Sequence, residues 1–586
     1  RRDFFIRELP YTSYIRSLFS TSFEDYSMRN SRLLPFLCLV ATALALTVNA
    51  TNAVGQEVND TVRAHIERHQ RTGTLVVSGE EIAARDVFWR LYENNNYALL
   101  WQEQERIDTL IDMVGRAEEE GLLPSDYHHE TLLRLRKIES RKVADVAGFD
   151  LLLTDSLLRY LYHLHFGKVN PFDLDSDWNL SRQLNRDPLE LVTGTLSAAD
   201  MQQHITEILD WDPYYTQMKL LLADYRGRVA REGGGYPSVP SGPTLRKGMR
   251  DPRVALLRQR LQASNHLAAV SADDPEYFDT ELESAILRFQ REAEIDVDGA
   301  AGAGTLAALN VSLQSRIDQI RVNMERARWV SRDLRGLDDF VIVNIADFKT
   351  VLVRDTEIVW ETRSQVGRTY RKTPVFGATM KYAQFNPTWT VPSGILRRDI
   401  LPKLKADAQG YLAKNNMKLV DNSTGKEIDP ASIDWATTTH RNFKYQVVQR
   451  PGPDNALGMV KFIFPNPHFV FLHDTNHREH FDDKVRTFSS GCIRIEHPME
   501  FARLVLNDDK WDDAAIQNVI DSAETKTVFL KEPLPVLILY WTVNPLTKNG
   551  TPEFLADVYD RDDRVLRALS APFKVVLPDD LESWLE

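Results

Sequence analysis

Cys492 stands in the run Phe488-Ser489-Ser490-Gly491-Cys492-Ile493-Arg494, downstream of His473, and is one of only two cysteines in the sequence. A thiol within folding reach of an imidazole can be deprotonated and attack an acyl carbon. Gly491 allows close backbone approach, and the amides of Gly491 and Cys492 are expected to face an oxyanion. His473 closes the apolar run Phe469-Val470-Phe471-Leu472 and is expected to project from a strand end as the general base. The chemistry these residues suit is acyl transfer through a thioester. A zinc site is the competing reading, built from His473, His477, His480 and Asp482 or Asp483. Catalytic zinc needs three placed ligands and an open position. Asp474-Thr475-Asn476 reads as a loop leaving a strand, so neither a metal nor another cofactor is expected.

The other cysteine, Cys38, lies in an apolar run from Leu33 to Val48 that follows Arg29 and Arg32 and precedes the small residues of Val48-Asn49-Ala50. This is the pattern of a secretory signal peptide, with an uncleaved membrane anchor as the minority alternative. Met28 stands just before the charged residues, so 1–27 read as an upstream extension and 1–50 as extension plus signal. No later segment is apolar enough to span a bilayer. Export with one mature cysteine would leave Cys492 without a disulfide partner. The 586 residues predict three or four domains, and the 43% hydrophobic content suffices for large cores. A net charge of −13, without clustered Lys and Arg, argues against a nucleic-acid partner.

The elements that must position the thiol fall into a multidomain α+β chain. After a polar stretch from Thr51 to Ser78, residues 79–232 read as an all-helical scaffold, with Leu110, Ile111, Val114 and Ala117 stopping at Gly121 and a Leu-rich helix stopping at Gly167. Trp89, Tyr97, Trp101, Tyr160, Trp211, Tyr214 and Tyr215 read as its core rather than as a stacking site. The Gly- and Pro-rich run from Gly233 to Pro243 marks a linker. Residues 244–312 then read as a small three-helix bundle. Within it Asp296-Val297-Asp298-Gly299 is a turn, since an EF-hand would need a further oxygen ligand and a closing glutamate. A helix from about Ser315 to Val330 leads into a mostly β domain over 338–535, beginning with strands at Phe340–Ile345, Thr350–Val353 and Glu357–Trp360. A mixed insertion at 397–445 is expected to act as a lid. Residues 536–586 read as C-terminal strands and a tail, with Thr547-Lys548-Asn549-Gly550 as a hairpin turn.

These residues resemble known families. Gly248, Val254, Leu257, Leu261, Phe289-Gln290, Asp298-Gly299, Thr305-Leu306 and Leu309-Asn310 are similar to the peptidoglycan-binding three-helix module found beside cell-wall enzymes. His473, fifteen intervening residues and then Ser489-Ser490-Gly491-Cys492-Ile493-Arg494 resemble the active-site signature of the L,D-transpeptidases of bacterial cell walls. Ser490 stands where many members carry a second histidine, which leaves the base role to His473. Asn386-Pro387-Thr388-Trp389 and the block from Gln449 to Gly458, with Lys461-Phe462, match as well. So do Gly121-Leu122-Leu123-Pro124-Ser125-Asp126-Tyr127 and Leu153-Thr154, Tyr160 and Gly167, which point to the long multidomain branch over roughly residues 80 to 565.

The resemblance implies a reaction. Cys492 would attack the carbonyl of the third-position diaminopimelate of a stem peptide, expel the terminal D-alanine and form a thioester, which a neighbouring stem amine resolves as a 3→3 cross-link. His473 would carry the proton, its ring oriented by the backbone carbonyl of Asp474 or by the Asp474 carboxylate. Arg494 would hold a substrate carboxylate or join a structural ion pair. Trp389 would line the donor cleft or pack in the core, and Ser489 and Ser490 would shape the loop or hydrogen-bond to substrate. A carbapenem would acylate Cys492. The partners implied are peptidoglycan stem peptides and glycan, with other cell-wall synthesis enzymes as further candidates; the oligomeric state is not legible. The alternatives are hydrolysis of the thioester by an L,D-carboxypeptidase, transfer to a lipoprotein amine, or a wall-binding protein without catalysis.

Overall fold

The computed structural model describes residues 55–138, 142–180, 187–209, 213–232, 238–268, 273–293, 295–545 and 550–573. The expected signal segment, Trp211, the start of the linker at Gly233-Gly234-Gly235-Tyr236-Pro237 and the turn residues Thr547-Lys548-Asn549 lie outside them.

Residues 55–72 form a helix, in place of the polar stretch expected there. Its buried face is only Val58, Val62, Ile66 and His69, too thin a stripe to stand out among polar residues. A short hairpin follows, β1 (Leu75–Val77) against β2 (Glu80–Ile82), and then helices Asp86–Asn94, Gln104–Gly115, His129–Arg136 and Val143–Phe166. The last of these is the axis of the scaffold. Leu151, Leu152, Leu153, Leu157 and Leu164 are buried along it, and Gly167 ends it with a positive φ of 83°. A side chain at Gly167 would collide with Glu325 and Trp329, so glycine also permits the close crossing of helix Leu313–Leu334. Trp101, Tyr160 and Tyr215 are buried as expected, while Trp89, Tyr97 and Tyr214 are half-buried against the core.

Helices Pro252–Ala263, Thr280–Glu292 and Ala303–Leu309 make the small bundle. Val254, Leu257, Leu261, Phe278, Leu282, Ile286, Leu306 and Leu309 close a core of their own, separate from the rest of the molecule.

Beyond Leu313–Leu334 the chain forms one large sheet from β3 (Phe340–Asn344), β4 (Lys349–Arg354), β5 (Glu357–Gly367) and β6 (Phe376–Phe385). A four-stranded satellite sheet interrupts it, made of β7 (Trp389–Thr390), β8 (Met417–Asp421), β9 (Glu427–Ile428) and β10 (Tyr445–Gln449) in the order β7-β10-β8-β9. With helix Leu401–Lys414 it closes a separate core of Val391, Ile400, Leu404, Leu412, Leu419 and Val447. The insertion is thus a folded unit that begins at β7 and ends at β10, wider than the 397–445 read from composition.

The main sheet resumes with β11 (Val460–Ile463), β12 (Leu472–His473), β13 (Thr487–Ser489), β14 (Ile493–Ile495) and β15 (Lys526–Leu539). Its order is β13-β5-β14-β12-β11-β6-β15-β3-β4, and β4 also pairs with β5, so the sheet closes on itself. Strand β15 crosses the 535/536 boundary expected between catalytic domain and C-terminal strands. Pro533 and Pro535 interrupt the β pattern in the sequence, but the strand absorbs them at a register shift between Phe529 and Leu534 and continues paired with β3 and β6. A hairpin, β16 (Val543–Asn544) on β17 (Glu553–Phe554), and helix Asp562–Ser570 complete the described chain.

Scaffold and sheet are not separate lobes. Leu151, Trp178 and Leu180 share one buried cluster with Phe376, Val343 and Leu537, and the Asn179 side chain both donates to the Gly377 carbonyl and accepts from its amide at 2.9 and 2.8 Å.

Candidate active site

Strands β12 and β14 run parallel as neighbours, with Leu472 opposite Ile493 and His473 opposite Arg494. His473 is the last residue of β12 and Cys492 immediately precedes β14, so the register sets Cys492 level with Phe471, diagonally across from His473 on neighbouring strands. On its other side His473 faces Lys461 of β11. The ring is therefore buried between two cationic neighbours. Burial first, then Arg494, depress its pKa to about 3, against the raising effect of the Asp474 carbonyl.

The imidazole Nδ1 meets the backbone carbonyl of Asp474 at 2.5 Å. A proton on Nδ1 is the tautomer that makes this bond, which leaves the Nε2 lone pair as the base. Of the two orienting groups open to the sequence, the carbonyl is the one in contact. The Asp474 carboxylate is occupied elsewhere, accepting from the Met459 amide and from Arg478 Nη2, each at 2.9 Å. Gly458, at a φ of 61°, makes room for that carboxylate.

Cys492 keeps part of its surface open. Desolvation by the surrounding protein raises its pKa, against the lowering effects of the Phe471 amide, Arg494 and Lys461. Its Sγ donates to the Phe469 carbonyl at 3.6 Å, and no hydrogen bond joins it to His473 among the described residues. The resting pair is a neutral thiol and a neutral imidazole, and hydrogen bonds of this kind tighten when substrate binds.

The loop carrying the thiol is held from beneath. Ser489 Oγ accepts from the Gly491 amide at 3.1 Å and donates to the Cys492 carbonyl at 2.5 Å. This corrects one expectation: the Gly491 amide is committed to Ser489 and does not face an oxyanion. The Cys492 amide makes no hydrogen bond among the described residues and is the remaining backbone donor. Gly491 is still required, because its φ is 123°. Its carbonyl accepts from Thr373 Oγ1 at 2.8 Å, and that hydroxyl in turn accepts from the Gly367 amide at 2.9 Å. Tyr559, far along the chain, donates its hydroxyl to the Gly367 carbonyl at 2.5 Å and accepts from the Thr373 amide at 3.2 Å.

Ser490 is exposed and accepts from Arg371 Nη1, while Arg371 Nη2 binds Asp399 of the insertion, both at 2.9 Å. Arg494 is half-buried. It donates to Gln365 Oε1 at 3.1 Å, has a buried Nε without a partner, and forms no ion pair among the described residues. The structural ion pair entertained for it is therefore not seen. Trp389 is half-buried on β7 against the core of the insertion.

Sequence reasoning missed Phe469, Gln365, Thr373, Arg371 and Tyr559. Only Phe469 had a local signal, the turn-forming Asn466-Pro467 dipeptide. The Asn466 side chain bonds the Phe464 and Val470 carbonyls and the His468 and Val470 amides, which turns Phe469 outward at a φ of 55°. The expected strand Phe469–Leu472 is accordingly reduced to its last residue.

Among relatives, residues 338–527 match the profile of the L,D-transpeptidase catalytic domain. Over those residues the chain is similar to that catalytic domain. Residues 88–222 match a scaffold domain and 250–309 the "Putative peptidoglycan binding domain". A protein of Haemophilus influenzae named "Putative L,D-transpeptidase" is 35% identical over 255 residues, 43% of this chain and 50% of that protein, so the match spans about half the length of this curated relative. Two solved structures align at TM-scores too low to carry an argument. One is the L,D-transpeptidase of Xylanimonas cellulosilytica, at 0.15 and 13% identity over 51% of this chain and 99% of that one. The other is a fused Zn-dependent amidase/peptidase/peptidoglycan-binding protein of Clostridium acetobutylicum, at 0.14 and 11% identity over 50% and 99%. The matched residues 338–527 include both Cys492 and His473. No described helix is long and apolar enough to cross a membrane.

Proposed function

We propose that this protein is a periplasmic L,D-transpeptidase that forms 3→3 peptidoglycan cross-links through a thioester on Cys492. The observation that carries the reading is the parallel pairing of β12 with β14, which sets a buried imidazole, its Nδ1 against the Asp474 carbonyl, diagonally across neighbouring strands from a partly open thiol. His473 Nε2 takes the thiol proton as Sγ bonds to the carbonyl carbon of the third stem residue. The oxyanion meets the Cys492 amide. When the C–N bond breaks, the imidazolium returns its proton to the departing D-alanine amine. A second stem amine then attacks the thioester, loses a proton to His473 and releases the thiol. Arg494 and Lys461 face this chemistry as the cations available for a stem carboxylate.

Muropeptide analysis after expression of the mature protein tests the reading. Cross-linked 3→3 dimers are expected; trimmed tripeptides would instead mean that water is the acceptor, and lipoprotein-linked muropeptides that a lipoprotein amine is. Incubation with a carbapenem is expected to add one drug equivalent at Cys492 by intact-protein and peptide mass spectrometry. Arg494→Ala should slow that addition without moving it.

A further inference from the structure

Between β12 and β13 the side chains of His477, Glu479 and His480 converge, each offering one ligand atom within 4.8 Å of the others. Glu479 Oε1 lies 3.2 Å from His477 Nδ1 and 3.9 Å from His480 Nε2. Donors bound tetrahedrally at about 2.0–2.2 Å from one ion sit roughly 3.3 Å apart. One pair already has that spacing and the others need only a side-chain adjustment.

A second observation concerns the tautomer. His480 Nδ1 is 3.0 Å from Asp483 Oδ2. A carboxylate on Nδ1 holds the proton there and leaves the lone pair on Nε2, the nitrogen facing Glu479, which is the outer arrangement of metal-bound histidines. The His480 ring is also fixed, stacked on Phe488 at 4.2 Å and 19°, and the His477 carbonyl is held by Gln365 Nε2 at 3.0 Å. The three side chains remain partly exposed, so water can complete a coordination shell.

We propose that His477, Glu479 and His480 bind a divalent transition-metal ion of the zinc class, with Asp483 orienting His480. Two imidazoles and one carboxylate favour such an ion over magnesium or calcium, which take oxygen donors. The site differs from the zinc set considered in the sequence, because His473 is buried at the Asp474 carbonyl and belongs to the thiol. It nonetheless adjoins the nucleophile. Phe488 precedes Ser489 in β13, and Gln365 joins the His477 carbonyl to Arg494. The proposal rests on these donors and not on the reaction assigned to Cys492, and its test needs no turnover.

The test is calorimetric titration of the untagged full chain with Zn²⁺ in a Cys38→Ala, Cys492→Ala background, which removes both thiols as competing ligands. One equivalent is expected to bind, with excess Mg²⁺ failing to compete. His477→Gln and His480→Gln should each weaken binding at least tenfold, and Asp483→Asn by about tenfold or more. Asp482→Asn, altering an exposed neighbour that pairs with Arg363, should leave it unchanged. Thermal midpoints measured without metal establish that every variant is folded. Absence of saturable binding overturns the proposal, and so does undiminished, wild-type affinity in the two histidine variants, which would mark an adventitious surface ion.

Discussion

At the scale of single residues, the proposed chemistry depends on a base that stays neutral. Cys492→Ala removes the nucleophile and little volume, so a folded protein with no detectable cross-linking is expected. His473→Ala should lose most of the rate while retaining the thiol. Wild-type turnover in the Cys492→Ala protein would defeat the mechanism. The buried imidazole also has a thermodynamic signature. His473 titrates near 3 when folded and near its ordinary 6.5 when unfolded, so between those values the unfolded chain binds a proton that the folded one does not. Its contribution to stability is therefore complete above about pH 6.5 and declines on acidification by ~1.4 kcal/mol per pH unit. On going from pH 7 to 4.5, the wild type should lose about 2.5 kcal/mol more than His473→Gln in denaturant unfolding. Parallel losses in the two proteins would show that the ring is not held neutral. Cys492 and His473 were legible in the sequence because a thiol and an imidazole of this spacing carry their chemistry in their residue types. The commitment of the Gly491 amide was not, because it depends on the rotamer of Ser489.

Among the elements, the short loop between β13 and β14 depends on hydroxyls more than on pairing. Ser489 Oγ satisfies a buried amide on one side and a carbonyl on the other, and leaving both unmet costs about 1–3 kcal/mol per group. Ser489→Ala should lower stability by that order and slow carbapenem acylation of Cys492 at least tenfold. Ser490→Ala, an exposed neighbour, should shift stability by less than about 0.5 kcal/mol. Equal effects of the two substitutions would show that the buried hydroxyl has no special part. The same loop reaches the insertion through Arg371, which bridges Ser490 and Asp399. If that bridge sets the position of the insertion, Arg371→Ala and Asp399→Asn should raise KM together, and the double variant should be no worse than Arg371→Ala alone; additive losses would separate the two residues. The long helices and the meander from β3 to β5 were legible because their apolar periods repeat over many residues. Helix 55–72 has a thin buried face, and β7 is two residues long, so neither shows a period. The extent of the insertion follows from the pairing of β7 with β10, a contact between distant segments that no local pattern records.

On the scale of the whole molecule, the three units differ in how firmly they are joined. Each helix announced that it had a face to bury, but not against what, and the continuous core between scaffold and main sheet could not be read from the sequence for that reason. The three-helix bundle is the opposite case. Its core is its own, and Lys484 joins it to the β12–β13 segment by an exposed ion pair with Asp296 at 3.0 Å, a kind of contact worth about 1 kcal/mol or less. Removing residues 244–312 should therefore leave the main core intact and acylation of Cys492 by a carbapenem near the wild-type rate. If the bundle grips the wall, as its match to a peptidoglycan-binding domain suggests, the same deletion should weaken retention on purified sacculi and slow cross-linking there, because a tethered domain raises the local concentration of its substrate. Soluble stem peptides, which gain nothing from the tether, should still react. Undiminished sacculus binding would reduce the bundle to a spacer. Loss of acylation by the drug would instead show that it supports the thiol through the β12–β13 segment.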